Sequence, residues 1–529
     1  MMKPNILTLN KFIQYFNIFK YIKYSNISLN TILNIFSNIF LKSKLFMVCF
    51  MILISSIISV PNLNAQLDKT AYYNYGTPIY AEINILPYDN NDTAKINILY
   101  KIQFNSLIFK KSTEKKTYNK FIALPQLEIV LKDKDGIIRS RNNIVDTVIV
   151  DNFEETSSKE LYFSNFVESK VAHNEYKCSI EFNKSPTNVK LNFNINTDLD
   201  FYTKKNVLTT PIFISRKVKE SSKYLLPFIM DKKIAFSSVD TGILIPISYE
   251  NETSQFRYEI KTLDKSKKSI FYDENDKLEL SGTAKLRLSS ELLLYKIQNK
   301  EKNKSGYIDL SNPNTNFNFN PTLNTMYSNN VFYDIEEIKS NSPKFDHNLG
   351  ILDITIPSNF NKIGKYELII FYDENGTEQQ KSYKFENIWE TQPICLQNLD
   401  YAVESMYYIL SDELYEKMSS GDEEYKRSMF LEYWKSKDPT KPTPFNEALY
   451  QYFSRVDYVF FNYQTLSQSD GSKTDQGKIF ILYSKPDKTE SKFNGNIKEE
   501  IWTYNKAKKR YKFSTFGTGL MKLTEIEDL

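Results

Sequence analysis

After "WETQPIC" (389–395) the spacing of apolar residues changes, and no single repeating architecture can satisfy both halves of the chain. Upstream, apolar residues alternate or run in short bursts: "AKINILYKIQF" (94–104), "LPQLEIVLKD" (124–133), "IIRSRNNIVDTVIV" (137–150), "EYKCSIEF" (175–182) and "NVKLNFNIN" (188–196). Period-two runs of this length, separated by turn residues such as Asp133-Lys-Asp-Gly136, are the pattern of a β-sandwich. A polar stretch, "SRKVKESSK" (215–223), separates this block from a second strand-rich block that ends near Trp389. The second block holds "FYDEND" (271–276) and "FYDENG" (371–376), read as two hairpin turns built from the same turn chemistry. It also holds an Asn-rich stretch, 299–324, expected to be an exposed loop.

Downstream of 395 the period becomes helical. Leu399, Val403, Met406, Tyr407 and Leu410 share one face; Tyr425, Met429, Tyr433 and Trp434 share another. Gly421 is placed to end one helix and Asp422 to cap the next. Three prolines in 437–445 forbid helix there. Thr443 as N-cap and Pro444 at the first position then predict a restart, with Leu449, Tyr452, Phe453, Val456, Val459, Phe460 and Tyr463 at 3.6 spacing. The stretch "GSKTDQGKIFILYSKPD" (471–487) reads as a polar turn entering a central strand, and 499–504, 510–516 and 520–526 as three further strands. The expected fold class is therefore multidomain: tandem β-sandwich-like (Ig-like) modules at 66–216 and 217–390, then an α+β domain at 391–529 with helices packed on a small antiparallel sheet.

The first 65 residues form a long leader. No Asp or Glu precedes Asp68, whereas six lysines do, and Lys42 and Lys44 directly precede the apolar core 45–60. Pro61 and the small Ala65 follow, so cleavage is expected between Ala65 and Gln66. The alternative is a retained anchor, which would leave the protein a membrane-tethered scaffold. Removing the six lysines leaves 62 basic against 64 acidic residues, a balance that offers no concentrated basic surface for nucleic acid. Beyond the leader only Cys178 and Cys395 remain, read as two unpaired buried thiols.

Within the last domain a set of residues falls in a recognisable order: Tyr433-Trp434, Asp438-Pro439-Thr440, Asn446-Glu447, Tyr452, Arg455, Gly471-Ser-Lys-Thr474-Asp475, Tyr483-Ser-Lys-Pro486-Asp487 and Glu500-Ile-Trp502-Thr-Tyr504. In number and order they resemble the GWxTD domain of exported proteins from Bacteroidetes-like bacteria. Two positions depart: Ser472 stands where that pattern has Trp, and Ser484 where it has Gly. The family has no assigned reaction, so the resemblance implies architecture and a location in the periplasm or cell envelope.

Catalytic signatures are sparse. His173 and His347 lie near no nucleophile elbow, zincin motif or second ligand, and no phosphate-binding glycine pattern occurs, so no metal and no cofactor are expected. The motif residues (Trp434, Asp438, Thr440, Asn446, Glu447, Arg455, Gly471, Thr474, Asp475, Tyr483, Pro486, Asp487, Glu500 and Trp502) form the expected polar cluster, structural or ligand-binding. A pair of its carboxylates would suffice for a glycan-directed hydrolase. The preferred expectation is a non-catalytic binding or assembly protein with a protein or glycan partner in the envelope. N-terminal sequencing of the processed chain should begin at Gln66; recovery of the intact leader would show an anchor instead.

Overall fold

The computed structural model describes residues 79–529, apart from 88–92, 115–116, 159–160, 184–187, 198–205, 217–223, 250–253, 264–278, 288–290, 299–329, 338–347, 442 and 517–518. The expected leader and cleavage site at Ala65 and Gln66, the Asn-rich stretch, the turn at 271–276 and His347 lie outside the described residues.

The first β region packs two sheets face to face. One pairs Ile79–Pro87, Thr93–Gln103 and Tyr162–Ala172; the other runs Val189–Asn196, Glu175–Phe182, Gln126–Asp133, Ile138–Val145. Alternation does the work, since Leu127, Ile129 and Leu131 enter the same core as Cys178, Ile180 and Phe182 and meet Ile96, Ile98 and Ile102 from the facing sheet. The strand Thr93–Gln103 departs from alternation and is buried on both faces. Its second face is covered by later parts of the chain: Leu99 packs on Ile229, and the Lys101 ammonium meets the Glu390 carboxylate at 2.9 Å.

The second β region is one eleven-stranded sheet that folds over its own core. Glu279–Arg287 makes the corner: residues 279–284 pair with Phe256–Thr262, and Lys285–Arg287 pair with Asn348–Ile356. A strand that changes partners in this way turns a sheet into two facing layers. Ile243, Ile245, Leu352 and Ile354 of one layer thus share a core with Ile260, Leu368, Ile370 and Phe385 of the other. Asp353 at the corner is gripped by Arg287 (Nε 2.7 Å) and by Arg216. The hairpin Gly364–Glu374/Thr377–Ile388 turns at Asn375 and Gly376, with φ of 56° and 77°, the paired positive angles that a two-residue hairpin loop demands. Its returning strand takes Lys233–Ala235 as a parallel partner. That register delivers Phe236 against Trp389 and Phe445, inside the core of the last domain.

The C-terminal region has helices α1 (Leu399–Ser405), α2 (Asp412–Ser420), α3 (Glu423–Lys437), α4 (Glu447–Asn462) and α5 (Asp475–Tyr483), then a four-stranded antiparallel meander. Each of the five helices has a side-chain N-cap: Asn398, Ser411, Asp422, Asn446 and Thr474. Four expectations change. The run "KIFILY" is helical, not a strand: α5 is buried on nearly every side (Gln476, Gly477, Ile479, Phe480, Ile481), so it carries no amphipathic period to separate it from a buried strand. The cap of α4 is Asn446 rather than Thr443, whose hydroxyl is held by the carbonyls of Thr440 and Phe445. In α3 the buried pair is Phe430 and Trp434, while Tyr425 faces solvent; in the first helical stretch Tyr407 also turns outward. The meander begins a strand earlier than expected, at Lys488–Asn494, because that strand is almost wholly exposed and has no apolar run. Cys178 and Cys395 are both buried and unpaired.

The Lys101–Glu390 pair has side chains only 8 % and 10 % exposed. Lys101→Ala strands a buried carboxylate and should cost about 3 kcal/mol, read as a lower denaturant midpoint. A Lys101→Ala/Glu390→Ala double variant should recover part of that loss.

Candidate functional site

The stretch Gly471–Lys473 is a single 3-10 turn wedged between α4 and α5, and two glycines set its position. A side chain on Gly471 would run into the Val459 carbonyl at the end of α4, and one on Gly477 would run into the Gly471 carbonyl. Thr474 completes the turn. Its hydroxyl donates to the Gly471 carbonyl (2.7 Å) and accepts from the Gly477 amide (2.9 Å), capping α5. Asp475 accepts from the amide of Leu523 at 2.8 Å, where a bulge beside Lys512/Phe513 breaks the pairing of the last strand. Thr474 and Asp475 therefore fasten a helix entrance to the sheet edge.

Beside this turn lies a second polar cluster. Asp470 accepts from the Ser472 amide (2.9 Å), the Ser472 hydroxyl (2.6 Å) and the Tyr401 hydroxyl (3.1 Å). Tyr408 donates to the Ser472 carbonyl at 2.9 Å. Burial and the Asp470 carboxylate raise the Tyr401 phenol far above its ordinary range, and burial with Asp470, Asp475 and Glu404 pushes Tyr408 up to about 12. Both are thus fixed as neutral donors. Lys473 reaches Glu404 at 2.7 Å across the mouth of a pocket of about 190 Å³, whose walls include Tyr401, Tyr408, Tyr415 and Ser472.

The two carboxylates nominated at the end of α3 and the start of α4 are neighbours. Thr440 connects them, its amide donating to Asp438 (2.8 Å) and its hydroxyl to Glu447 (2.5 Å). Asn446 caps α4 through its carbonyl and donates its amide to the Trp434 carbonyl at 2.6 Å, tying α3 to α4. Asp438 is held up at about 6, first by burial and then by the nearby Glu447 charge. Its place at the C-terminal end of α3, where the helix dipole is negative, works in the same direction.

The remaining motif residues act elsewhere. Arg455 of α4 is buried and donates to the carbonyls of Ile481 and Leu482, closing the C-terminus of α5 (3.0 and 3.2 Å). Tyr483 packs between Tyr504 and Tyr511, with ring centroids 5.4 and 5.5 Å away. Half-buried Pro486 leads into Asp487, whose carboxylate accepts from the Asn505 amide at 2.7 Å. Glu500 accepts from the Trp502 indole N–H at 2.7 Å, with Trp502 buried between Tyr463 and Phe513. The motif residues thus fall into separate clasps rather than one cleft. Among the described residues no group of three or more His, Cys, Asp or Glu is placed to hold a metal, and no helix is long and apolar enough to cross a membrane.

Residues 369–521 match the family model of the GWxTD domain. The chain carries a GWxTD domain. The match reaches back into the hairpin strand that delivers Trp389 to the helical core, so the domain takes its first core aromatics from the preceding sheet. No curated protein matches the chain in sequence. Among solved structures it is similar to the C-terminal domain of the AgI/II polypeptide BspA of Streptococcus agalactiae, at 8 % identity and a TM-score of 0.14, over 58 % of this chain and 100 % of that one. It is also similar to the collagen adhesin (CNA) of S. aureus, at 10 % identity and a TM-score of 0.12, over 59 % of this chain and 92 % of that one. Scores of this size carry no statement about function.

Asp470, Tyr401, Tyr408 and Asp457 of the GWxTD domain escaped the sequence reading. Asp457 accepts from the Ile394 and Cys395 amides (2.6 and 3.0 Å), fixing the entry to the domain from within α4. Its spacing two residues after Arg455 was the available signal.

Ser484 ends α5 at φ 65°, ψ −157°, a region that glycine alone occupies without strain. Ser484→Gly should raise the unfolding free energy by about 1 kcal/mol, and a chemical melt that shows loss instead would place the hydroxyl in a contact that matters. Gly471→Ala and Gly477→Ala should each cost about 3 kcal/mol, because the clash is with backbone oxygen rather than a side chain that can rotate away. Asp438 also gives a pH signature. Its folded pKa of about 6 lies above the ordinary 3.8, so its favourable contribution is complete below pH 3.8 and is lost as pH rises through 6. Asp438→Asn should therefore raise the melting temperature at pH 7 and leave it unchanged at pH 3.5.

Proposed function

We propose that this protein is an exported cell-envelope protein of binding or assembly type, whose GWxTD domain holds a protein or glycan partner without turning over a substrate. The observation that carries the reading is the state of the nominated carboxylates. Asp475 is closed on the Leu523 amide, Asp487 on the Asn505 amide, Asp438 on the Thr440 amide and Glu500 on the Trp502 indole. Carboxylates spent on fixed donors hold a fold together, whereas a glycosidase pair must face a common open space. The leader with its apolar core at 45–60 supports export, and the neutral charge balance beyond it is consistent with a partner other than nucleic acid.

One observation favours the rival, a glycan-directed hydrolase: Asp438 is held at about 6 beside Glu447, which is how a general acid is tuned. The two readings separate on one measurement. The chain and its Asp438→Asn/Glu447→Gln variant are incubated with envelope glycans, and newly released reducing ends are counted. The expected result is no release above the blank for either protein. Release by the wild type that the double variant abolishes would overturn the binding reading.

A further inference from the structure

The pocket beside the motif turn has walls that combine several aromatic rings with Ser472 of the motif turn. Its floor is polar but spent. The Tyr401 hydroxyl, the Ser472 hydroxyl and the Asp470 carboxylate are bonded to one another, and the Tyr408 hydroxyl is bonded to the Ser472 carbonyl. What the floor and walls still present is ring surface. Tyr407 and Tyr408 meet edge to face at 6.0 Å, and Tyr407 and Tyr415 at 5.2 Å. At the mouth stands a carboxylate, Glu404, 39 % exposed and paired with Lys473.

Three ligand chemistries can be weighed against this wall. A sugar needs several fixed donors and acceptors, and the buried hydroxyls of Tyr401, Tyr408 and Ser472 are already bonded to protein groups. A cation would find rings and a carboxylate, but Lys473 already supplies the positive charge at Glu404. A flat aromatic ring with a single N–H donor carries no charge to compete with Lys473 and needs one acceptor rather than several. Its faces pack on the tyrosines, and its N–H reaches the exposed Glu404 carboxylate. The motif supports the same ring. The domain is named for Gly-Trp-x-Thr-Asp, and this chain reads Gly471-Ser472-Lys473-Thr474-Asp475, with Ser472 in the pocket wall.

We propose that this pocket binds an indole ring from outside the chain, in place of the tryptophan side chain that the motif would supply at position 472. The proposal deepens the binding reading and rests on it. The same ring chemistry is offered by free indole and by a tryptophan side chain on a partner polypeptide.

The test is a calorimetric titration of the full chain with free indole and, separately, with a polar peptide carrying one tryptophan. Saturable one-to-one binding of either ligand is expected. A tighter constant for the peptide assigns the ring to a partner protein, and a tighter constant for free indole assigns it to a small molecule. Ser472→Trp fills the pocket from within and should weaken both at least tenfold. Tyr415→Ala, on the partly exposed face of α2, removes a wall without touching the buried network and should weaken both about as much, guarding against a Ser472→Trp chain that fails to fold. Failure of both ligands to bind, or binding that Tyr415→Ala and a folded Ser472→Trp leave unchanged, overturns the proposal. Neither result depends on whether Asp438 and Glu447 release reducing ends, so the two proposals fail separately.

Discussion

The GWxTD domain depends on a contact between backbones. Gly471 sits against the last carbonyls of α4, and Gly477 sits against the carbonyl of Gly471, so three segments touch with no side chain between them. Everything else in the motif is arranged around that approach. Thr474 bonds across it, Asp475 extends it to the sheet through Leu523, and Arg455 holds the far end of α5 to the helix that Gly471 abuts. Close packing of this kind tolerates no added atom, whereas the polar groups around it can be satisfied in more than one way. That explains why the motif mixes glycine with short polar residues and why its carboxylates face amides.

The sequence disclosed most of this architecture because the two periods differ. Alternation in 126–133 and 175–182 marks the faces that meet in the first core, and the 3.6 spacing from Leu449 to Phe460 marks the buried side of α4. Legibility failed where a segment is uniform. The helix α5 is buried on nearly every side and the strand Lys488–Asn494 is almost wholly exposed, so neither has a clear pattern to read. The cap of α4 was misplaced by competition among Thr443, Pro444 and Asn446, each suited to a helix start; the choice fell to Asn446 because its side chain also satisfies the Trp434 carbonyl on another helix, a tertiary fact. The motif residues were expected as one polar cluster; their division into separate clasps follows from packing, which no linear order of residues displays. Ser484 was visible as a departure from the motif, and its strained dihedral supplies the reason a glycine belongs there.

Polar latches recur wherever two layers must be held in one register. Asp353 at the corner of the large sheet is gripped by two arginines, Lys101 reaches Glu390 between tyrosine rings, and Asp457 holds the amides at the domain entrance. Each puts a charge in a buried or half-buried place and matches it with fixed donors or an opposite charge, which contributes little net stability but excludes slipped arrangements. The apolar cores supply the driving force, and the latches choose among packings of similar burial.

The parallel pairing of Lys233–Ala235 with the strand ending at Ile388 has a consequence for synthesis. Phe236 leaves the ribosome long before Trp389 and Phe445, the rings that cover it. Throughout that interval the growing chain carries an aromatic side chain and an unpaired strand edge with no partner yet made. Such a non-local closure is slow, because loop entropy is spent before any contact returns it. The last domain is thus primed by a residue from the module before it, and its assembly is timed by the length of chain between them.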